Sequence, residues 1–337
     1  MSFFKGADRR KARSLGKLTA HASTRHYDRH PHRWLYLAAI AVMSLVLVFS
    51  ATQLILYAMD YASSQRVSDD LRDIYYASET SEPTAAPAAA QGTAQTTAEN
   101  RIAAAPAAQP TDRPKAATVL PKVPYPLNPY GVVSERFSQL RRQNIDIVGW
   151  LTVPGLIDQA VVQRDNEYYL RRDYLGRHNN NGALFLDETC NTATRPYTFM
   201  IYGHNMQSGA MFGSLRNYEH ISFFRDNPFI TFDTAWEQGR YVVFAVGTVS
   251  TGKLDKNYVD FGKLMSSTVS WRDEAIGQLV RASVFTNVID VRADDQLLLL
   301  ITCVDDDEER RVLCARRIRD GESEEALRRQ LTMMWTK

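Results

Sequence analysis

The chain has 337 residues, of which 45% are hydrophobic, so it can hold one large domain or two small ones. Its 40 lysines and arginines nearly balance 38 acidic residues, which leaves a net charge of +2. This balance excludes the strong overall basic charge that is typical of nucleic-acid-binding proteins, and no nucleic-acid partner is predicted.

The positive charge is concentrated at the N-terminus, where residues 1–33 hold nine lysines or arginines and two aspartates. Residues 34–59 follow as 26 uncharged positions, and about 20 apolar residues are sufficient for a helix to cross a bilayer. The stretch is longer than the apolar core of a cleavable signal peptide, which has roughly 7–15 residues. The pattern predicts an uncleaved transmembrane helix in contact with lipid. The basic tail is then cytoplasmic, and everything after residue 60 lies outside the cell.

Residues 60–125 are predicted to form an extracellular linker. The first part of it, residues 60–81, can continue as a short helix beyond the membrane. From Glu82 onward Ala, Pro, Thr and Gln dominate, and large apolar residues are nearly absent before Val119. Such a segment cannot bury enough surface to offset the entropy of ordering itself. We therefore expect a semi-extended spacer that holds a folded domain away from the membrane.

Residues 126–337 are predicted to form that domain, because their number is sufficient for one substantial core. Apolar residues recur at helical spacing in residues 131–144 and 271–283 and in the C-terminal stretch ESEEALRRQLTMMW. Short stretches rich in Val, Ile, Phe, Tyr and Leu, broken by turn residues, are strand candidates. They are residues 147–153, 159–163, 182–187, 197–203, 229–234, 240–250, 296–303 and 311–318. Eight strands with inserted helices favour a mainly β fold, a β-barrel that carries helices.

The three cysteines, Cys190, Cys303 and Cys314, form no CxxC motif, so the sequence supports no zinc site, and no metal or cofactor is expected. Cys190 lies in a polar loop where it is expected to be exposed, and Cys314 falls within a strand as a small apolar residue. A disulfide between these two stays open. Cys303 ends an apolar run and precedes the acidic VDDDEE. A rigid strand end that opens onto a loop suits a reactive group, so Cys303 is the predicted reactive thiol.

A histidine and two arginines complete a chemically coherent set with this thiol. His204 follows the strand candidate at 197–203, while Arg310 and Arg311 lie seven and eight residues after Cys303. A short loop and a returning antiparallel strand bring one of the arginines beside the thiol. A thiolate attacks a carbonyl, an imidazolium protonates the leaving amine and a guanidinium stabilises the oxyanion.

The segments that carry these residues resemble the sortases, cysteine transpeptidases of the Gram-positive cell surface, and class B in particular. The resemblance covers residues 126–337. It rests on DIVGWLTVPGLIDQAVVQRDNEYYLRRDYLG, GALFLD, YGHNMQSGAMFGSL, FFRDNPFITFDT, and ITC followed by an arginine on the next strand. It implies a closed eight-stranded β-barrel with N-terminal helices, an inserted helix before the last two strands and a C-terminal helix, preceded by one transmembrane helix.

The resemblance also implies a catalytic set of His204, Cys303 and one arginine. Arg310 is slightly favoured because the small residue Ala315 lies five positions after it, whereas the loop length from the cysteine favours Arg311. Neighbouring residues on a strand face opposite sides, so only one of the two arginines can reach the thiol.

Supporting roles are implied for three further residues, namely Thr302, Asn205 and Asp305. For Asp305 the alternative is a solvated acidic turn without a catalytic role. Class B sequences usually carry a serine two positions before the cysteine, where this chain has Ile301, as in class A. The resemblance therefore implies no substrate-binding hydroxyl group at residue 301.

The activity that the resemblance implies is cleavage of a C-terminal sorting signal on secreted proteins through a thioester. The protein is then transferred to an amine of a peptidoglycan precursor or a pilin subunit. The enzyme is expected to cross the cell membrane once, with its catalytic domain outside. Two alternatives stay open. One is an extracellular cysteine peptidase that hydrolyses its target without transfer, and the other is a non-catalytic envelope scaffold.

Overall fold

The structure is a computed structural model that describes residues 33–77, 118–121, 128, 131–192, 194–303 and 309–335. The chain divides into two compact units, residues 1–54 and residues 55–337. Helix α1 (Arg33–Ala77) contains a segment that is long and apolar enough to cross a membrane. The basic tail predicted at the N-terminus lies outside the described residues except for Arg33.

Helix α1 continues past the predicted anchor, so residues 60–77 are helical. Val67, Leu71 and Tyr75 are buried along one face of this part of the helix, at the four-residue spacing of an amphipathic helix. The Tyr75 ring stacks on Trp150, with ring centroids 4.4 Å apart. The helical alternative for residues 60–81 is confirmed as far as Ala77, and the spacer predicted from residue 60 does not include these packed residues.

Eight strands close into one barrel, in the spatial order β1-β2-β3-β4-β7-β8-β6-β5. Strands β2 and β3 pair in parallel, as do β4 and β7, and the other neighbours are antiparallel. The strands are β1 (Ile147–Val153), β2 (Ile157–Val162), β3 (Phe185–Leu186), β4 (Thr198–His204), β5 (Phe229–Thr234), β6 (Arg240–Ser250), β7 (Leu297–Cys303) and β8 (Glu309–Arg317). The predicted eight-stranded barrel is confirmed. The largest difference is at residues 182–187, of which only two pair as β3.

Among the described residues, five shorter α-helices surround the barrel, and they include the three predicted from the sequence. They are α2 (Glu135–Gln143), α3 (Ile221–Asp226), α4 (Phe261–Met265), α5 (Val269–Ala282) and α6 (Glu324–Leu331). Helix α6 begins at Ser323, whose hydroxyl oxygen accepts a hydrogen bond from the Ala326 amide, as an N-cap does. Helices α4 and α5 form the insertion between β6 and β7.

The two faces of β4 can be assigned from its contacts. Phe199 packs edge-on against Phe232 of β5, with ring centroids 5.0 Å apart. Because β4 and β5 are not neighbours in the sheet, this contact crosses the barrel interior. The adjacent Thr198 instead accepts a hydrogen bond of 3.0 Å from Arg272 of α5, which lies outside the barrel. Side chains alternate along a strand, so His204 shares the outer face with Thr198.

Arg272 holds the β6–β7 insertion against the barrel. Its side chain is fully buried and donates hydrogen bonds to main-chain carbonyl groups of the insertion and of Tyr197, which directly precedes β4. Burial lowers the pKa of this guanidinium to about 10, which leaves it charged at neutral pH. Its acceptors besides Thr198 are the carbonyl oxygens of Tyr197, Leu264, Ala293 and Asp295.

Candidate active site

The predicted histidine and cysteine are the last residues of two neighbouring strands. Strands β4 and β7 pair in parallel without interruption, from Thr198 opposite Leu297 to His204 opposite Cys303. Parallel strands end at the same edge of a sheet, so two residues far apart in the sequence are adjacent there. Of Cys303 the structure describes the backbone.

The imidazole of His204 is held through one ring nitrogen. Its Nε2 lies 2.7 Å from the carbonyl oxygen of Leu170, at the end of the 3₁₀ helix Tyr168–Arg171. A carbonyl oxygen only accepts hydrogen bonds, so Nε2 carries the proton in this contact. In the neutral ring Nδ1 is then the basic nitrogen. The contact therefore selects the tautomer of His204.

Gly182 packs closely against the same ring. A Cβ atom at this position would lie 3.1 Å from His204 Cδ2, and 2.7 Å and 2.8 Å from the carbonyl oxygens of Leu170 and Tyr169. Its φ of +64° is also in the left-handed region that favours glycine. A side chain at residue 182 would displace either the ring or the carbonyl that holds it.

Arg311 is bound to groups beside the two strand ends. Its Nε lies 2.7 Å from Glu219 Oε1, at the end of the 3₁₀ helix Phe212–Glu219, and its Nη1 lies 3.5 Å from Asn205 Oδ1. Its main-chain amide donates a hydrogen bond of 3.0 Å to the hydroxyl of the buried Thr302. Thr302 therefore uses its hydroxyl to connect β7 to β8. Glu219 could not be predicted from the sequence, since an exposed acid after a turn carries no local signal.

Arg310 lies at a different register position. It pairs with Val249 of β6, and its guanidinium Nη1 donates a hydrogen bond of 2.9 Å to the carbonyl oxygen of Glu309. Strands β7 and β8 pair antiparallel with Ile301 opposite Val312. Continuing this register by two residues sets Arg310 opposite Cys303, on the strand face shared with His204.

The other two cysteines are free thiols in the barrel wall and its loops. Cys190 is 3% exposed and its Sγ lies 3.6 Å from the Thr198 carbonyl oxygen, so the expectation that it is exposed is wrong. The loop folds inward because Gln163 donates a hydrogen bond of 2.7 Å to the Cys190 carbonyl oxygen. Burial raises the pKa of the Cys190 thiol to about 12 and that of Cys314 further. Cys314 is fully buried, as predicted for a small apolar residue.

Asp305, the remaining predicted supporting residue, lies outside the described residues. Within the described part of the chain, no group of three or more His, Cys, Asp or Glu side chains is placed to hold a metal ion. His178 and His220, the other two histidines of this unit, are exposed.

Comparison with known proteins identifies the family. The sortase domain model matches residues 151–318. Sortase B of Listeria monocytogenes is 30% identical over 173 residues, which cover 51% of this chain and 68% of that protein. The chain belongs to the sortase family. Sortases are cysteine transpeptidases, so the predictions of the family and of an enzyme are confirmed.

Solved class B sortases have the same architecture. Bacillus anthracis sortase B, in a complex with AAEK2, is 23% identical with a TM-score of 0.55, over 77% of this chain and 97% of that chain. The Staphylococcus aureus sortase B–substrate complex is 25% identical with a TM-score of 0.51, over 56% of this chain and 87% of that chain. The sortase described here is therefore class B-like in fold, and its apolar N-terminal helix can serve as a membrane anchor.

Proposed function

We propose that this sortase cleaves the C-terminal sorting signal of secreted proteins through a thioester on Cys303. It then transfers them to an amine of a peptidoglycan precursor or a pilin subunit. The observation that carries the proposal is the pairing of His204 with Cys303 at the ends of two adjacent parallel strands. A relative solved as a sortase B–substrate complex supports a sorting-motif substrate.

The chemistry follows from the tautomer of His204. With Nε2 donating to Leu170, Nδ1 is the nitrogen that accepts the Cys303 thiol proton. The sulfur attacks the scissile carbonyl, the carbon–nitrogen bond breaks, and Nδ1 returns the proton to the leaving amine. An acceptor amine then attacks the thioester, loses a proton to the imidazole and releases the thiolate. The Leu170 carbonyl oxygen accepts from Nε2 in each step, which keeps the ring oriented.

We assign the oxyanion-stabilising role to Arg310. The β7–β8 register sets it opposite Cys303, on the strand face of His204. The guanidinium of Arg311 is bound to Glu219 and Asn205 instead. A fixed guanidinium has several N–H donors for a tetrahedral oxyanion, and losing one such donor costs about 10²–10³ in rate. Arg311 then joins the strand ends to the neighbouring 3₁₀ helix.

The proposed location follows from the N-terminal half of the chain. Helix α1 supplies a segment apolar enough to span a bilayer and to contact lipid. Nine lysines or arginines in residues 1–33 precede it. Cytoplasmic flanks carry an excess of basic residues, so the tail is assigned to the cytoplasm and the catalytic domain to the outside of the cell.

The test uses the full chain in detergent micelles, a library of internally quenched short peptides and hydroxylamine as the amine. We expect peptide hydroxamates, detected by mass spectrometry, and their loss in the Cys303→Ala and His204→Ala variants. Cleavage that persists in Cys303→Ala overturns the proposal. Release of free acid alone at saturating hydroxylamine identifies a peptidase instead of a transpeptidase.

A further inference from the structure

Helix α1 is hydrogen-bonded to the turn Asn179–Gly182. The side-chain amide of Asn179 donates two hydrogen bonds of 2.9 Å, one to the Asp60 carbonyl oxygen and one to the Ser63 hydroxyl. The side-chain amide of Asn180 donates a bond of 2.6 Å to the Asp60 carboxylate, and its main-chain N–H donates one of 3.3 Å. All of these residues belong to the compact unit that contains the barrel.

The same turn forms one side of the environment of His204. The main-chain N–H of Gly182 donates a hydrogen bond of 3.1 Å to the Asn179 carbonyl oxygen. The main-chain N–H of Asn179 donates one of 3.0 Å to the Arg171 carbonyl oxygen. Arg171 directly follows Leu170, whose carbonyl oxygen holds the imidazole. The turn is therefore connected to the His204 ring in two ways. Gly182 packs on the ring, and Asn179 is bound to Arg171, the neighbour of Leu170.

Asn179 is built into this connection. Its side chain is 1% exposed, and its Oδ1 accepts a hydrogen bond of 2.9 Å from the Asn181 amide while its Nδ2 donates to α1. An isolated turn that contains left-handed glycine has several accessible conformations. The buried side-chain amide of Asn179 selects one of these conformations, because both its oxygen and its nitrogen are hydrogen-bonded. The helix supplies two of the three side-chain partners of Asn179, which are Asp60 and Ser63.

We propose that the α1 segment that follows the membrane anchor is a positioning element of the active site. Through Asp60 and Ser63 it fixes the turn Asn179–Gly182, and the turn fixes the imidazole of His204. The inference rests on the proposed catalytic function of His204. It predicts that removing the Asp60 and Ser63 side chains lowers the rate of the chemical step and leaves peptide affinity unchanged, because these side chains bind the turn.

The chain supplies a matched control on the same helix. Arg72 donates a hydrogen bond of 3.1 Å to the Asp158 carbonyl oxygen on β2. This contact also fastens α1 to the barrel, and it does not involve the turn. An Arg72→Ala variant therefore weakens helix docking without removing a bond to Asn179 or Asn180.

The experiment compares the Asp60→Ala/Ser63→Ala double variant with Arg72→Ala, as full chains in detergent micelles. With a cleaved library peptide and hydroxylamine, we expect kcat to fall about 10-fold to 100-fold in the double variant while KM stays constant. In Arg72→Ala we expect a comparable decrease in Tm and an unchanged kcat. Asp60→Asn, which keeps an oxygen acceptor for Asn180, is expected to restore part of the lost kcat.

A second readout does not need activity. The ¹⁵N resonances of His204 are recorded in a Cys303→Ala background, where Nε2 is expected to appear protonated. We expect them to shift in the double variant and to stay in place in Arg72→Ala. Equal kcat and equal resonances in all variants, or equal changes in the double variant and the control, overturn the inference. Cleavage that persists in Cys303→Ala overturns the proposed function instead.

Discussion

The guanidinium of Arg311 forms an ion pair with the carboxylate of Glu219, in which Nε lies 2.7 Å from Oε1. The side chain is thereby directed to the 3₁₀ helix that ends at Glu219. Arg310, its neighbour on β8, occupies the register position opposite Cys303. Adjacent arginines on one strand thus have different surroundings, and on this difference we base the proposal that Arg310 is catalytic and Arg311 holds the strand ends.

Substitution of the two arginines should therefore give opposite phenotypes. Arg310→Ala is expected to lower kcat about 10²–10³-fold with little change in Tm, because an oxyanion donor is lost. Arg311→Ala is expected to lower stability by about 0.2–1 kcal/mol, since its ion pair is partly exposed, and to retain most activity. Hydroxamate formation and thermal unfolding measure the two effects. A large loss of kcat in Arg311→Ala alone would reverse the assignment.

Thiol reactivity should distinguish the three cysteines. The thiolate is the nucleophile, and burial raises the pKa of the Cys190 thiol to about 12, so this group stays protonated at neutral pH. Burial raises the pKa of the Cys314 thiol as well. We expect iodoacetamide to label Cys303 alone in the folded chain, and all three cysteines in denaturant. Mass spectrometry of tryptic peptides reads the sites, and rapid native labelling of Cys303→Ala would contradict the expectation.

Removing Arg272 should destabilise the insertion between β6 and β7. In an Arg272→Met variant the carbonyl oxygens of Ala293 and Asp295 lose their buried donor, and each unsatisfied group costs about 1–3 kcal/mol. We expect a loss of at least about 3 kcal/mol, measured by thermal unfolding in micelles. The control is Trp271→Ala on the same helix, whose side chain is 52% exposed. This change is expected to cost less than Arg272→Met, because it leaves no buried carbonyl group without its donor.

The cluster around Arg319 should make stability depend on acid pH. Hydrogen bonding and charge from Arg319 lower the pKa of Asp290. A carboxyl group whose pKa is lowered by folding stabilises the fold above its unfolded pKa of about 3.9, and this contribution is lost as the pH falls through the folded pKa. We expect Arg319→Gln to lower Tm at neutral pH, with a difference that shrinks in strong acid.

Thermal unfolding of both chains as a function of pH measures this convergence. The control is Arg329→Gln, which removes an exposed pair with Glu325 on α6, where Nη1 lies 2.9 Å from Oε1. It is expected to change Tm little at any pH. A constant difference between Arg319→Gln and the unaltered chain across the acid range would show that Arg319 acts through packing instead of charge.

The strands could be read from the sequence because short β-rich runs between turn residues are local signals. The pairing of β4 with β7 is not local, since strand partners are chosen by packing of the whole sheet, and the barrel order came from the family resemblance. Period-two alternation shows that Arg310 and Arg311 face opposite sides. It could not assign either face, because that depends on the register across the β7–β8 loop.

Two contacts could not be predicted from local composition. Cys190 lies in a polar stretch and was expected to be exposed, yet a side-chain amide from Gln163 holds this loop inward. The helix that the sequence allows at residues 60–81 extends to Ala77, but its packing is not a local signal, because its buried apolar residues are only Val67, Leu71 and Tyr75. In both cases a contact with a distant part of the chain overrides the local composition.

The parallel β4–β7 pair has a consequence for the order in which this enzyme becomes competent. In the sequence, β5, β6 and both helices of the insertion lie between the two strands, so the β4–β7 pair joins distant segments of the chain. Contacts between distant segments form slowly, because loop closure must precede them. Until β7 pairs with β4, the proposed nucleophile Cys303 is separated from its proposed base His204, so the proposed catalytic pair exists only once this late contact has formed.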